Sequence, residues 1–146
     1  MAQNKLGTRT LRPGQPVYIE NWAAVAGKKE ALGPLGHGFD IKSMDTKFGE
    51  QTWEQAEKKM QQLALGKLLQ KARLKAGDID LVFSGDLLNQ CIGSSFSLRN
   101  TGIPHLGLYG ACSTMAQSLL TCAMMVDGGY AKQAVAMTSS HFASSE

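Results

Sequence analysis

The 146-residue chain holds three cysteines, four prolines and three histidines, and each shortage closes off a class of protein. Cys91, Cys112 and Cys122 are odd in number, show no CxxC spacing and sit among small or apolar residues. That excludes a disulfide framework and points to a reducing compartment. No stretch approaches the roughly eighteen uninterrupted apolar residues of a membrane span. The N-terminus, MAQNKLGTRTLRPGQP, lacks the apolar core of a secretory signal. A cytoplasmic or peripheral protein is the expectation. The His, Cys and acidic positions have neither zinc nor calcium ligand spacing, so no metal site is expected, and no cofactor is implied. The lysines and arginines form no dense stripe with interleaved aromatics, which argues against nucleic acid.

What is present is the composition of a soluble globular domain, 43% hydrophobic and 18% charged. Charge is uneven: residues 1–79 hold thirteen Lys/Arg against eight Asp/Glu, and residues 80–146 hold two against four. Residues 1–16, with Lys5, Arg9, Arg12, Pro13 and Pro16, are expected as a flexible basic arm ahead of one domain over 17–146. Val17 to Val25 reads as a first strand. The glycine-rich GKKEALGPLGHGFD after it reads as an irregular loop, and its glycines lack the Lys-Ser/Thr ending of a phosphate-binding loop.

In TWEQAEKKMQQLALGKLLQKARLKAGD, Thr52 and Gln55 have capping-box spacing. Ala56, Met60, Leu63, Leu68 and Ala72 recur at helical intervals, and Gly77 is the expected stop. A short buried strand over Leu81 to Ser84, a helix from Cys91 to Arg99 and a strand from His105 to Tyr109 follow. A helix over 113–126 then places Met115, Leu119, Cys122, Ala123 and Val126 on one face, with Ala116, Leu120 and Met124 opposite. It is apolar or small nearly all round, the mark of a buried helix. QAVAMTSS supplies the last strand. Strand and helix alternate with short loops, which predicts an α/β fold with a mostly parallel sheet.

Three polar stretches, SGDLLNQ, GACST and TSSH, follow predicted strand ends, where ligands gather in parallel sheets. Cys112 then has Asp86, Asn89, Ser139, Ser140 and His141 as candidate neighbours. A cysteine at a helix start sits where unpaired amides and the dipole favour a thiolate, an oxyanion or a ligand carboxylate. Nucleophile, pocket floor and small buried side chain all stay open for Cys112; Cys91 and Cys122 read as packing. Nucleophilic chemistry would need a base, and His141 is the one histidine near the rim; His37 lies in the glycine-rich loop and His105 begins a strand.

The segments GPLG…FD, TWEQAE, DIDLVFSGDLLNQ, YGACST and VDGGYAKQAVAMTSSH, in this order, resemble the stage V sporulation protein AD family of spore-forming bacteria, itself similar to thiolases. The resemblance implies one βαβαβαβ half of a thiolase-like body with a buried central helix, the second half being absent. It implies a spore protein, peripheral on the inner membrane, that binds dipicolinic acid and assists its uptake with membrane partners. Cys112 matches the thiolase nucleophile position, so the alternative is a fragment of a thiolase or ketoacyl-synthase type acyltransferase. On the binding reading no catalysis is expected. The ligand would meet Cys112, Ser113, Thr114, Ser139, Ser140, His141 and Asn89. Asp86 would repel a free dianion, yet could orient a donor or face an accompanying calcium. A lone half would leave the 113–126 helix uncovered, which implies self-association or a partner through it.

Overall fold

The computed structural model describes residues 4–88 and 91–141. In chain order the elements are β1 (Lys5–Leu6), β2 (Thr10–Leu11), β3 (Val25–Ala26), α1 (Lys28–Leu32), β4 (Ile41–Lys42), α2 (Trp53–Ala72), β5 (Leu81–Gly85), α3 (Ile92–Leu98), β6 (His105–Gly107), α4 (Thr114–Asp127) and β7 (Ala134–Thr138). The three longer strands form one parallel sheet in the order β6-β5-β7, with Val82 opposite both His105 and Val135. Parallel neighbours need long crossovers, and α3 and α4 provide them. This is the expected α/β architecture.

Alternation along the strands divides the layers. Val82, Val135 and Met137 join Leu65 of α2, Leu98 of α3, Ile79 and Ile103 in the main core. Phe83 points the other way, to the side on which α4 packs against β5. α2 and α3 therefore cover one face of the sheet, and α4 packs on β5 and β7 from the other.

α2 begins as its residues dictate. Thr52 Oγ1 accepts from Gln55 N at 3.3 Å, while Gln55 Oε1 accepts from Thr52 N at 3.2 Å. It ends sooner than Gly77, at Ala72, because Arg73 turns left-handed (φ 57°) and Leu74 N bonds back to Leu69 O at 3.0 Å. Its buried residues are Ala56, Glu57, Gln61 and Leu65 rather than the apolar series from Ala56 to Ala72, so the inward face carries two polar side chains.

Other expectations shift as well. Of the predicted first strand only its last residue, Val25, pairs with a neighbour, joining Ala26 beyond it against the parallel β4. Residues 17–24 carry Tyr18, Ile19 and Trp22 exposed, with no regular element. The glycine-rich loop holds α1 and a tight turn at Gly36–Gly38, where a Cβ on Gly36 would come 2.1 Å from Ala31 O. The basic arm is tied down: β1 and β2 pair antiparallel, and the Asp127 carboxylate at the end of α4 accepts from Asn4 Nδ2 at 3.0 Å and Gln15 N at 2.8 Å.

α4 is rotated from the expected face and buried along one side only. Thr114 and Ser118 face inward, while Met115, Leu119, Leu120 and Met124 remain 44%, 40%, 50% and 57% exposed. Among the described residues no helix is long and apolar enough to cross a membrane.

Because the Thr52 side chain holds the first turn of α2, Thr52→Ala is expected to cost about 1 kcal/mol. Urea unfolding of both proteins measures it; an unchanged midpoint would show that the box contributes nothing to stability.

Candidate functional site

A cavity of about 290 Å³ opens at the carboxyl ends of β5 and β7, where they meet the start of α4. Gly85, Asp86 and Leu87 form one side, Thr138, Ser139 and Ser140 a second, and Ala111, Cys112, Thr114 and Met115 the third. Gly85 is there by necessity. A Cβ on it would lie 2.0 Å from Leu108 O and 2.6 Å from Thr114 Cγ2, so any side chain would push the loop before α4 off the strand end.

That loop enters α4 through one tight turn, Ala111–Ser113, with Ala111 at φ 47°. A non-glycine residue held there costs on the order of 1–3 kcal/mol unless its surroundings enforce it. The surroundings do: Thr114 Oγ1 donates to Ala111 O at 2.8 Å and accepts from Gly110 N at 3.2 Å, and Ser113 Oγ donates to Gly110 O at 2.7 Å. Both hydroxyls serve the turn. The result is that Cys112 is exposed, which removes its reading as a buried packing residue. The positive end of the α4 dipole borders the cavity beside it.

The other two thiols differ. Cys91 is buried with Sγ donating to Leu108 O at 3.3 Å, and burial raises its pKa. Burial pushes the Cys122 thiol up to about 11.

Of the remaining sequence candidates, Ser139 and Ser140 line the cavity; Ser113 and His141 do not. His141 is buried, its Nε2 donating to Thr46 O at 2.7 Å and its ring centroid 5.3 Å from that of Trp53. Asn89 lies outside the described residues. His105 meets Ser84 Oγ through Nε2 at 2.8 Å, away from the cavity. No histidine is among the cavity-lining residues described. Among the described residues no three His, Cys, Asp or Glu side chains cluster to hold a metal ion.

Behind the cavity lies a polar network that single-residue inspection of the sequence did not find. Asp86 Oδ2 accepts from Ser94 N and Ser94 Oγ, both at 2.7 Å, and Oδ1 from Leu88 N at 2.9 Å. Gln61 Nε2 donates to Ser94 Oγ at 3.0 Å and to Ser139 Oγ at 2.7 Å, and Ser139 Oγ donates to Glu57 Oε1 at 2.8 Å. The available signal was Glu57 and Gln61, spaced four apart on one side of a helix and both next to apolar neighbours.

A parallel sheet with helices on both faces, and a cavity at its strand ends walled by a cysteine-bearing helix start, define an α/β protein whose layers are consistent with a thiolase-like half. The family model for Stage V sporulation protein AD (SpoVAD) matches residues 7–146. The chain belongs to that family, and its role lies in sporulation. It is 40% identical over 140 residues to Stage V sporulation protein AD of Bacillus subtilis (strain 168). The alignment covers 96% of this chain and 41% of the relative, so the chain spans about two-fifths of that protein's length.

Burial pushes the His105 pKa below its usual 6.5, against smaller opposing effects of Ser84 and Asp86. The folded chain therefore keeps this ring neutral while the unfolded chain takes up a proton, and stability falls as pH drops below about 6.5. Urea midpoints between pH 7.5 and 5 should decrease, and His105→Gln should flatten that part of the profile. An equally steep profile in the variant would assign the dependence to other groups.

Proposed function

We propose that this chain forms the cysteine-bearing wall of a binding site for dipicolinic acid and assists its uptake into the developing spore. The observation that supports this most is the cavity itself, open at the strand ends with the positive end of α4 on one side. A planar pyridine with two carboxylates suits such a place, because a helix start favours an anion. Asp86 opposes a bare dianion, and a calcium arriving with the ligand would face it. About 290 Å³ is at the small end for ligand sites, and the longer relative leaves room for further walls, so this chain alone binds weakly.

The site works by binding, without catalysis. The exposure of Cys112 favours a second reading, acyl transfer from a thioester, and the lack of a histidine among the described cavity-lining residues weighs against it. On the binding reading, the protein is peripheral on the spore inner membrane and works with membrane uptake proteins. The exposed stripe Met115, Leu119, Leu120 and Met124 is the surface through which it self-associates or meets a partner. Sedimentation tests that surface: Leu120→Lys with Met124→Lys should convert an associating chain to monomer, and a wild-type monomer at micromolar concentration would count against it.

Ser140 is exposed on the cavity rim and outside the buried network, so Ser140→Leu should fill the site without unfolding the chain. Dipicolinate affinity by titration is expected to fall about tenfold or more, with an unchanged melting temperature. Cys112→Ser should keep the fold. Unchanged affinity in Ser140→Leu would remove this cavity as the site, whereas a stable mass increase on Cys112 after incubation with an acyl-coenzyme A would replace binding by acyl transfer.

A further inference from the structure

We infer that Glu57, which lines no part of the cavity, sets the hydrogen-bonding polarity of Ser139 in the cavity wall and so governs which ligands that wall accepts. The inference rests on the proposed carboxylate-ligand site and adds a specificity-determining positioning residue to it.

Polarity passes along the network one group at a time. Asp86 Oδ2 takes the Ser94 amide N–H, which can only donate, and the Ser94 hydroxyl proton beside it. Ser94 Oγ has then given its proton and must accept, which requires Gln61 to present Nε2 toward it. That choice turns Gln61 Oε1 toward Ser97 Oγ at 2.8 Å, whose one proton is shared between this oxygen and Ser94 O, also at 2.8 Å. The second N–H of Gln61 goes to Ser139 Oγ. Ser139 accepts there and gives its own proton to Glu57 Oε1. Glu57 and Ser94 are 0% exposed, and Gln61 and Asp86 1%, so water has little access to reverse the order.

Ser139, which lines the cavity together with Asp86, is thus left with an unused lone pair and no free proton. That wall accepts hydrogen bonds. It suits a ligand that brings an N–H or a cation, and it turns a carboxylate away toward the start of α4. If Glu57 could not accept, the Ser139 proton would be free to point at the ligand.

The test titrates the 146-residue chain with dipicolinate and with its neutral diamide, following chemical shifts by NMR. Glu57→Met removes the acceptor at similar volume and should raise affinity for dipicolinate relative to the diamide about tenfold, the worth of one hydrogen bond to a charged group. Glu57→Gln keeps a carbonyl acceptor and should restore the wild-type ratio. A folded Glu57→Met that weakens both ligands in parallel would overturn the inference. Ser139→Ala decides the matter independently, even where Glu57→Met fails to fold. Dipicolinate affinity held or raised supports an accepting Ser139, and a tenfold loss means that Ser139 donates to the ligand. Binding with an unmoved ratio overturns this inference alone; a folded wild-type chain that binds neither ligand overturns the dipicolinate reading and this inference with it.

Discussion

The wall of the cavity that carries Asp86 and Ser139 depends on one pair of contacts, the hydrogen bonds of Gln61 to Ser94 and Ser139. They join α2 to α3 and to the end of β7, three elements distant in sequence, at the point where the sheet stops. Apolar packing deeper in the core is tolerant of small shifts, since Leu65, Val82 and Val135 could slide against one another at modest cost. A buried amide that must satisfy specific partners is not tolerant, because each group left unpaired costs about 1–3 kcal/mol. The network therefore specifies how α2 and α3 sit over the sheet, and with that where Asp86 and Ser139 stand in the cavity wall.

The opposite wall is held by different means. A glycine at the end of β5 lets the Leu108 carbonyl cross close over it, and Thr114 closes the turn that carries Ala111 in a left-handed conformation. These devices leave Cys112 in the open while Cys91 and Cys122 are shielded. The cavity so acquires two unlike sides: a helix start that favours negative charge, and a strand-end wall rich in acceptors. A symmetrical dianion is not the best match for both sides at once.

The helix on the far side of the sheet shows the reverse economy. α4 turns Thr114 and Ser118 inward, with their hydroxyls bonded to Ala111 O and Met115 O, and leaves four large apolar side chains in water. Small residues let the helix lie close to β5 and β7, which is what brings Cys112 to the strand ends. The exposed stripe follows from the same rotation.

Local signals carried much of the fold. The Thr52–Gln55 box, the apolar run of β5 and the alternation of strands and helices each act through neighbours a few residues away, so α2, β5, α3, β6, α4 and β7 were legible with small errors at their ends. The start of α4 just after Cys112, at Thr114, was legible for the same reason. The failures have one cause. Val17 to Val25 reads as a strand, yet strand formation needs a partner, and within that stretch only Val25 finds one. Apolar periodicity points to other inward faces for α2 and α4, but Glu57 and Gln61 are buried because distant partners satisfy their polar atoms, and Thr114 and Ser118 because their hydroxyls bond carbonyls three residues back. His141 stands near the rim in sequence and turns away from it, since Thr46 and Trp53 lie behind. The sequence by itself determined the longer elements from α2 to β7, their order and the place of the cysteine, all properties of short stretches. Only the tertiary structure decided which polar groups are buried together and which way their protons point, because a hydrogen-bond chain from Asp86 to Glu57 exists only once α2, α3 and the two strand ends have met.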